Sequence, residues 1–128
     1  MKTFKKTFLI NAESEDVYSA LTNPATIELW SGYPAVMDPV QGFEFSLWDG
    51  DITGNIIEAV ENKRLVQEWY FGEQPEKSIV TILLTRDFGS TSVIVEHTNI
   101  PDGDFENIAE GWREYIMGAI QRLFNPNF

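Results

Sequence analysis

A chain of 128 residues, 43% of them hydrophobic and 13% aromatic, carries enough apolar side chain for one packed core and too much for a disordered polypeptide. Its 9 Lys and Arg against 20 Asp and Glu leave a formal net charge of −11. That sets phosphate backbones and anionic membrane surfaces aside as partners and reads most simply as a device for solubility. No cysteine is present, hence no disulfide framework and no thiolate chemistry.

The first stretch, Lys2–Ile10, places Phe4, Phe8 and Ile10 on one parity, interrupted by Lys6, as in a strand with one buried face. It starts like the charged region of a signal peptide, but the apolar run stops at Ile10 and Asn11-Ala12-Glu13-Ser14-Glu15-Asp16 follows. A signal h-region needs roughly 7–15 apolar residues, and no segment approaches membrane-spanning length, so the expected compartment is the cytoplasm. Ser14 is placed as a helix N-cap with Glu15 and Asp16 in the first turn, and Val17, Ala20 and Leu21 supply the apolar stripe. Asn23-Pro24 breaks this helix, and 25–30 forms a second one ending near Gly32.

From Gly42 the period changes to two. Phe43, Phe45 and Leu47 alternate with Glu44 and Ser46, Trp48-Asp49-Gly50-Asp51 makes a hairpin turn, and 52–60 returns as a strand. After Glu61-Asn62-Lys63, the segment 64–71 puts Leu65, Trp69 and Phe71 on one parity. A polar connection over 72–77 leads to strands at 79–85 and 91–98. Pro101-Asp102-Gly103-Asp104 then starts a helix in which Phe105, Ile108, Trp112, Ile116, Ala119 and Leu123 recur at helical spacing, with Pro126 as its stop. Over 105–123 this predicts an uninterrupted helix of about five turns.

The order predicts a single α+β domain over 1–128: a curved six-stranded antiparallel sheet, two short helices, and a long C-terminal helix over the concave face. Twist and curvature leave space between that face and a straight helix, to be filled by aromatics or kept as a ligand cavity.

Several stretches resemble the activator of heat-shock-protein-90 ATPase homologue family. Ala20-Leu21-Thr22-Asn23-Pro24 with Ile27 and Trp30 is similar to its opening, and Asp49-Gly50-Asp51-Ile52-Thr53-Gly54 to its hairpin. Lys63-Arg64-Leu65-Val66-Gln67-Glu68-Trp69 and Ser78-Ile79-Val80-Thr81 are similar to its central strands. Glu96-His97-Thr98-Asn99-Ile100-Pro101 and Gly111-Trp112-Arg113-Glu114-Tyr115 are similar to its last strand and closing helix. The resemblance runs in order along nearly the whole chain. It implies the helix-grip fold of the START and birch-pollen-allergen (SRPBCC) superfamily, which includes lipid and hormone binders, polyketide cyclases and the chaperone activators' C-terminal domain.

Candidate cavity residues follow from parity and stripe. Trp69, Phe71 and Trp112 are expected either to line a ligand cavity or to fill it, with Phe45, Leu47 and Val95 as further wall positions and Ile108 and Ile116 on the helix side. His97, the only histidine, lies on the interior parity of the last strand. It is preferred as a hydrogen-bonded structural residue, with ligand orientation or general-base work as the alternative. Asp49-Gly50-Asp51 offers two carboxylates without a continuing ligand series, so turn chemistry explains it and no metal is expected. Gly111 and Gly118 each cost the helix about 1 kcal/mol relative to Ala and mark either close approach to a neighbour or space left for a ligand. Trp48 is expected at the surface.

The leading expectation is a non-enzymatic binder of a small hydrophobic molecule, without cofactor, in a cavity between sheet and C-terminal helix. The alternatives are a chaperone-ATPase activator-like interaction module and a polyketide cyclase-like enzyme using His97. The partners these imply are a small hydrophobic molecule, a chaperone or a second copy of the chain.

Overall fold

Alternation in the sequence becomes, in the computed structural model, a six-stranded antiparallel sheet in the order β1-β6-β5-β4-β3-β2. The structure describes residues 1–125, so Pro126, the expected helix stop, lies outside them. The strands are β1 (Lys2–Ile10), β2 (Glu44–Leu47), β3 (Ile52–Val60), β4 (Arg64–Trp69), β5 (Ser78–Asp87) and β6 (Ser90–Ile100). Helices α1 (Ser14–Thr22) and α2 (Pro24–Ser31) lie between β1 and β2. After β6, a short 3-10 turn (Asp102–Asp104) leads into α3 (Phe105–Glu110), a π-helical turn (Gly111–Ile116) and α4 (Met117–Phe124).

The expected parities hold through most of the sheet. Phe4, Phe8 and Ile10 are buried on β1, while Lys6 stays outside with its Nζ 5.5 Å from the Phe8 ring centre. On β6, Thr91, Val93, Val95 and His97 are all fully buried. On β3 a bulge sets the register: pairing passes from Ile56↔Gln67 to Glu58↔Val66, leaving Ile57 as the extra residue. That one residue turns Ala59 inward, opposite Leu65 and against the core.

Local signals were misplaced by a residue or two in several places. Glu13, not Ser14, occupies the N-cap of α1. Ser14 is the first helical residue, and its buried hydroxyl lies 3.2 Å from Thr91 Oγ1, whose own proton goes to the Ala12 carbonyl at 2.8 Å. Ser14 is therefore the donor, and the bond ties α1 to β6. Asn23 caps α2, accepting from the Ala25 and Thr26 amides at 2.9 and 3.4 Å, with Pro24 in the first position where no N–H is needed. β4 ends at Trp69, so Phe71 lies beyond the strand and is half-buried. Trp48, expected at the surface, is also half-buried, edge-on to Trp30 at 5.7 Å.

The largest correction concerns the C-terminal helix, which is not uninterrupted. The Met117 amide bonds back to the Trp112 carbonyl, a π-type i→i−5 step that adds one residue to a turn. The inward face therefore slips by one position beyond it. Met117 and Ile120 are fully buried, while Ala119 and Leu123, expected on the stripe, are half-buried. The two helical glycines separate at this turn. A Cβ on Gly118 would lie 2.5 Å from the Arg113 carbonyl oxygen, whereas one on Gly111 would meet nothing within 4 Å. Across the same turn, Arg122 Nη2 donates to the Glu114 carbonyl at 2.9 Å.

Gly118→Ala is therefore expected to cost about 1–3 kcal/mol by overpacking against helix backbone. Gly111→Ala should be neutral or stabilising by up to about 1 kcal/mol through helix propensity. Urea denaturation of both variants checks this; equal effects at the two positions would refute the π-turn packing.

Candidate functional site: a filled interior beside an open groove

At the centre of the grip, helix and sheet are joined by polar side chains inside an aromatic cluster. Trp112 Nε1 lies 3.0 Å from His97 Nδ1, and His97 Nε2 lies 2.8 Å from Ser78 Oγ. An indole nitrogen only donates, so Nδ1 must accept and the imidazole proton sits on Nε2. His97 then donates to Ser78 Oγ, and Ser78 donates to the Thr98 carbonyl at 3.0 Å. Every proton in this chain has one acceptor. Protonating Nδ1 would set two N–H groups against each other in a fully buried position, and burial holds the His97 pKa down at about 3.

The rings around this chain pack against one another at the centre of the grip. Trp69 stacks on Trp112 with centres 5.1 Å apart and meets His97 edge-on at 4.8 Å. Its indole nitrogen donates to Gln67 Oε1 at 3.0 Å, which satisfies a glutamine that is itself buried. Phe71, from beyond the strand end, lies 6.0 Å from His97 with its ring tilted 35°. The space left among Leu47, Trp69, Trp112 and Ile116 is about 20 Å³, room for about one water molecule.

The residues expected at the site thus fall into three groups. Phe45, Val95, His97 and Trp112 are interior packing, joined by Leu47 on the wall of the small void. Trp69 and Ile116 belong to the interior and also form the back of a second space of about 240 Å³, with Ile108 on its helix side. Phe71 covers the His97 end. This second space opens to solvent between the β2–β3 hairpin and the start of the π-turn, where Trp48, Asp51, Ile52, Asn107, Gly111 and Tyr115 complete it. Gly111 leaves the helix surface bare there.

Gln67 and Ser78 were missed as interior residues, although Gln67 shares the parity of Leu65 and Trp69. Tyr115 and Asn107 were missed because they lie off the expected apolar stripe. Among the described residues no cluster of three or more His, Asp or Glu side chains is arranged to hold a metal ion. No described helix is long and apolar enough to cross a membrane.

Sheet order, two short helices and a long helix gripping the concave face define a helix-grip protein. The family can be stated more closely: residues 11–125 match the model of the Activator of Hsp90 ATPase homolog 1-like proteins, and the chain belongs to that family. It is 30% identical over 124 residues to the human activator of 90 kDa heat shock protein ATPase homolog 1, covering 95% of this chain and 36% of that protein. The chain thus spans about a third of the length of the curated relatives it matches. A crystal structure of an HSP90 activator from Plasmodium falciparum superposes with a TM-score of 0.88 at 25% identity, covering 96% of both chains. The Aha1 dimer from Colwellia psychrerythraea, at 18% identity, shares the fold over 100% of both chains with a TM-score of 0.83.

The His97 environment makes a pH-dependent contribution to stability. Above pH 6.5, the ordinary imidazole value, both folded and unfolded chains hold a neutral ring. Between pH 6.5 and about 3 the unfolded chain takes up a proton that the native site refuses, so stability falls by about 1.4 kcal/mol per pH unit on acidification. Denaturation of wild type and His97→Gln between pH 7 and 4 should show their stability difference moving in favour of the variant as pH drops. A constant difference, or an imidazole that titrates by NMR near pH 6.5, would contradict the assigned tautomer and burial.

Proposed function

We propose that this chain is an interaction domain of the Hsp90 ATPase activator type, working through its surface on a chaperone. The observation that carries this reading is the close packing at the centre of the grip, where the void among Leu47, Trp69, Trp112 and Ile116 is about 20 Å³. Family membership and likeness to proteins named as Hsp90 activators support the same reading. A rigid surface lowers the ordering cost of association. Such a domain needs no chemistry of its own, and His97, with both ring nitrogens engaged, has none to offer a substrate.

The test is ATP hydrolysis by the Hsp90-class chaperone of the source organism. Added protein should raise the rate saturably, by at least about twofold, which corresponds to a few tenths of a kcal/mol of barrier. An unchanged rate at saturating protein would overturn the proposal.

A second reading is favoured by the open groove. Its volume of about 240 Å³ and its apolar back, Trp69, Ile108 and Ile116, suit a small hydrophobic molecule, displaced from the helix–sheet interior to its mouth. Native mass spectrometry of purified protein would then detect a bound species that disappears in Gly111→Leu, with the melting temperature little changed. Ligand-free wild-type protein after extraction under non-denaturing conditions would count against it.

A further inference from the structure

We infer that the groove accepts an arginine side chain presented by the partner protein, held between aromatic faces and paired with Asp51. The inference rests on the chaperone-interaction reading and adds the chemistry of the contact. The groove has three aromatic rings on its walls, from Trp48, Trp69 and Tyr115, and one carboxylate at its rim, from Asp51; no Lys or Arg lines it. Aromatic faces attract cations, and a planar guanidinium stacks on them while pairing with a carboxylate. A lysine would bring the charge without the plane. The net charge of −11 adds a long-range field of the same preference and opposes acidic occupants.

Backbone strain points independently to this wall. Trp48, Asp49 and Gly50 take consecutive positive φ values of 48°, 54° and 98°. For glycine this is cheap; for a tryptophan it is costly, and a hairpin alone would be better served by Asn or Gly. The conformation is held from behind. Trp30 packs edge-on to Trp48 at 5.7 Å and is itself fixed by donating to the Ala20 carbonyl at 2.7 Å. The fold thus spends strain on presenting one indole at the groove in a fixed orientation, as a preformed cation-binding wall requires. On the helix side of the groove, Gly111 has no side chain and a Cβ there would meet nothing within 4 Å, so an entering side chain has room beside the helix.

N-acetyl-arginine amide, with the uncharged N-acetyl-citrulline amide as its isostere, tests the site by NMR titration of the labelled protein. The arginine probe should shift the Trp48 and Trp69 indole N–H signals and the Gly111 amide saturably. The citrulline probe should bind at least about tenfold more weakly. Asp51→Asn should weaken arginine binding about threefold or more and leave citrulline unchanged. Equal binding of the two probes, or shifts confined to other surfaces, would overturn the inference. The chaperone assay separates it from the reading beneath it. If wild type stimulates ATP hydrolysis but Asp51→Asn and Gly111→Leu do so equally well, the groove is not the contact and the activator reading stands. If wild type does not stimulate, the activator reading falls and the arginine titration still decides what the groove binds.

Discussion

One buried hydrogen bond, from the Trp112 indole to His97 Nδ1, joins the gripping helix to β6, the strand next to the β1 edge of the sheet. Much else is arranged around it. Because the indole can only donate, it fixes the imidazole tautomer, and the tautomer in turn makes His97 a donor to Ser78 on the neighbouring strand β5. Breaking the bond from either side would leave a polar atom unsatisfied in a closed interior, at about 1–3 kcal/mol. An apolar helix face could slide along an apolar sheet; a face pinned by one directed bond has a single position. The bond therefore supplies register as well as stability, and it leaves the fold's central histidine chemically quiet.

The π-turn is the helix's accommodation to that pin. Trp112 sits within the turn, and the residues after it are displaced by one position, so that Met117 and Ile120 face the core. With the extra residue, Met117 joins Trp112, Ile116 and Ile120 among the buried residues of the helix. The cost shows at Gly118, where no side chain can replace hydrogen against the Arg113 carbonyl. Arg122 reaches back to the Glu114 carbonyl, and so adds a side-chain bond across the distorted turn. At the start of the same turn, Gly111 leaves the helix surface bare beside the groove. Core packing and groove thus meet at this turn.

Period-two alternation made the sheet legible, including the inward histidine, because burial on one face imposes the same constraint on every strand. The β3 bulge was not legible, since an extra residue has no composition signature, and Ala59 shows its effect only through pairing with Leu65. Helical spacing identified Trp112 and Ile116 correctly but ran past the π-turn to Ala119 and Leu123. Periodicity counts residues and cannot register a turn that uses one more. Of the candidate site, the aromatics were visible and their arrangement was not. Whether Trp69 and Trp112 line a space or fill it depends on a 5.1 Å stacking distance that the sequence does not encode locally. Gln67 lay on the right parity, yet a buried glutamine makes sense only once the Trp69 indole is known to need an acceptor.

A helix-grip fold can keep its interior for a ligand or give it to packing, and the two choices have different consequences for the surface. An open interior weakens the link between helix and sheet, so motion at the mouth is absorbed inside. Here the stacked indoles and the Trp112–His97–Ser78 chain leave little to absorb it, and the groove walls formed by Trp69 and Ile116 are continuous with that rigid centre. A side chain entering the groove would press on the core itself. Close packing of this kind lowers the ordering cost of any contact made at the groove. The Trp48 turn belongs to the same wall: its positive φ and the edge-on contact with Trp30 set the indole beside Trp69 at the groove.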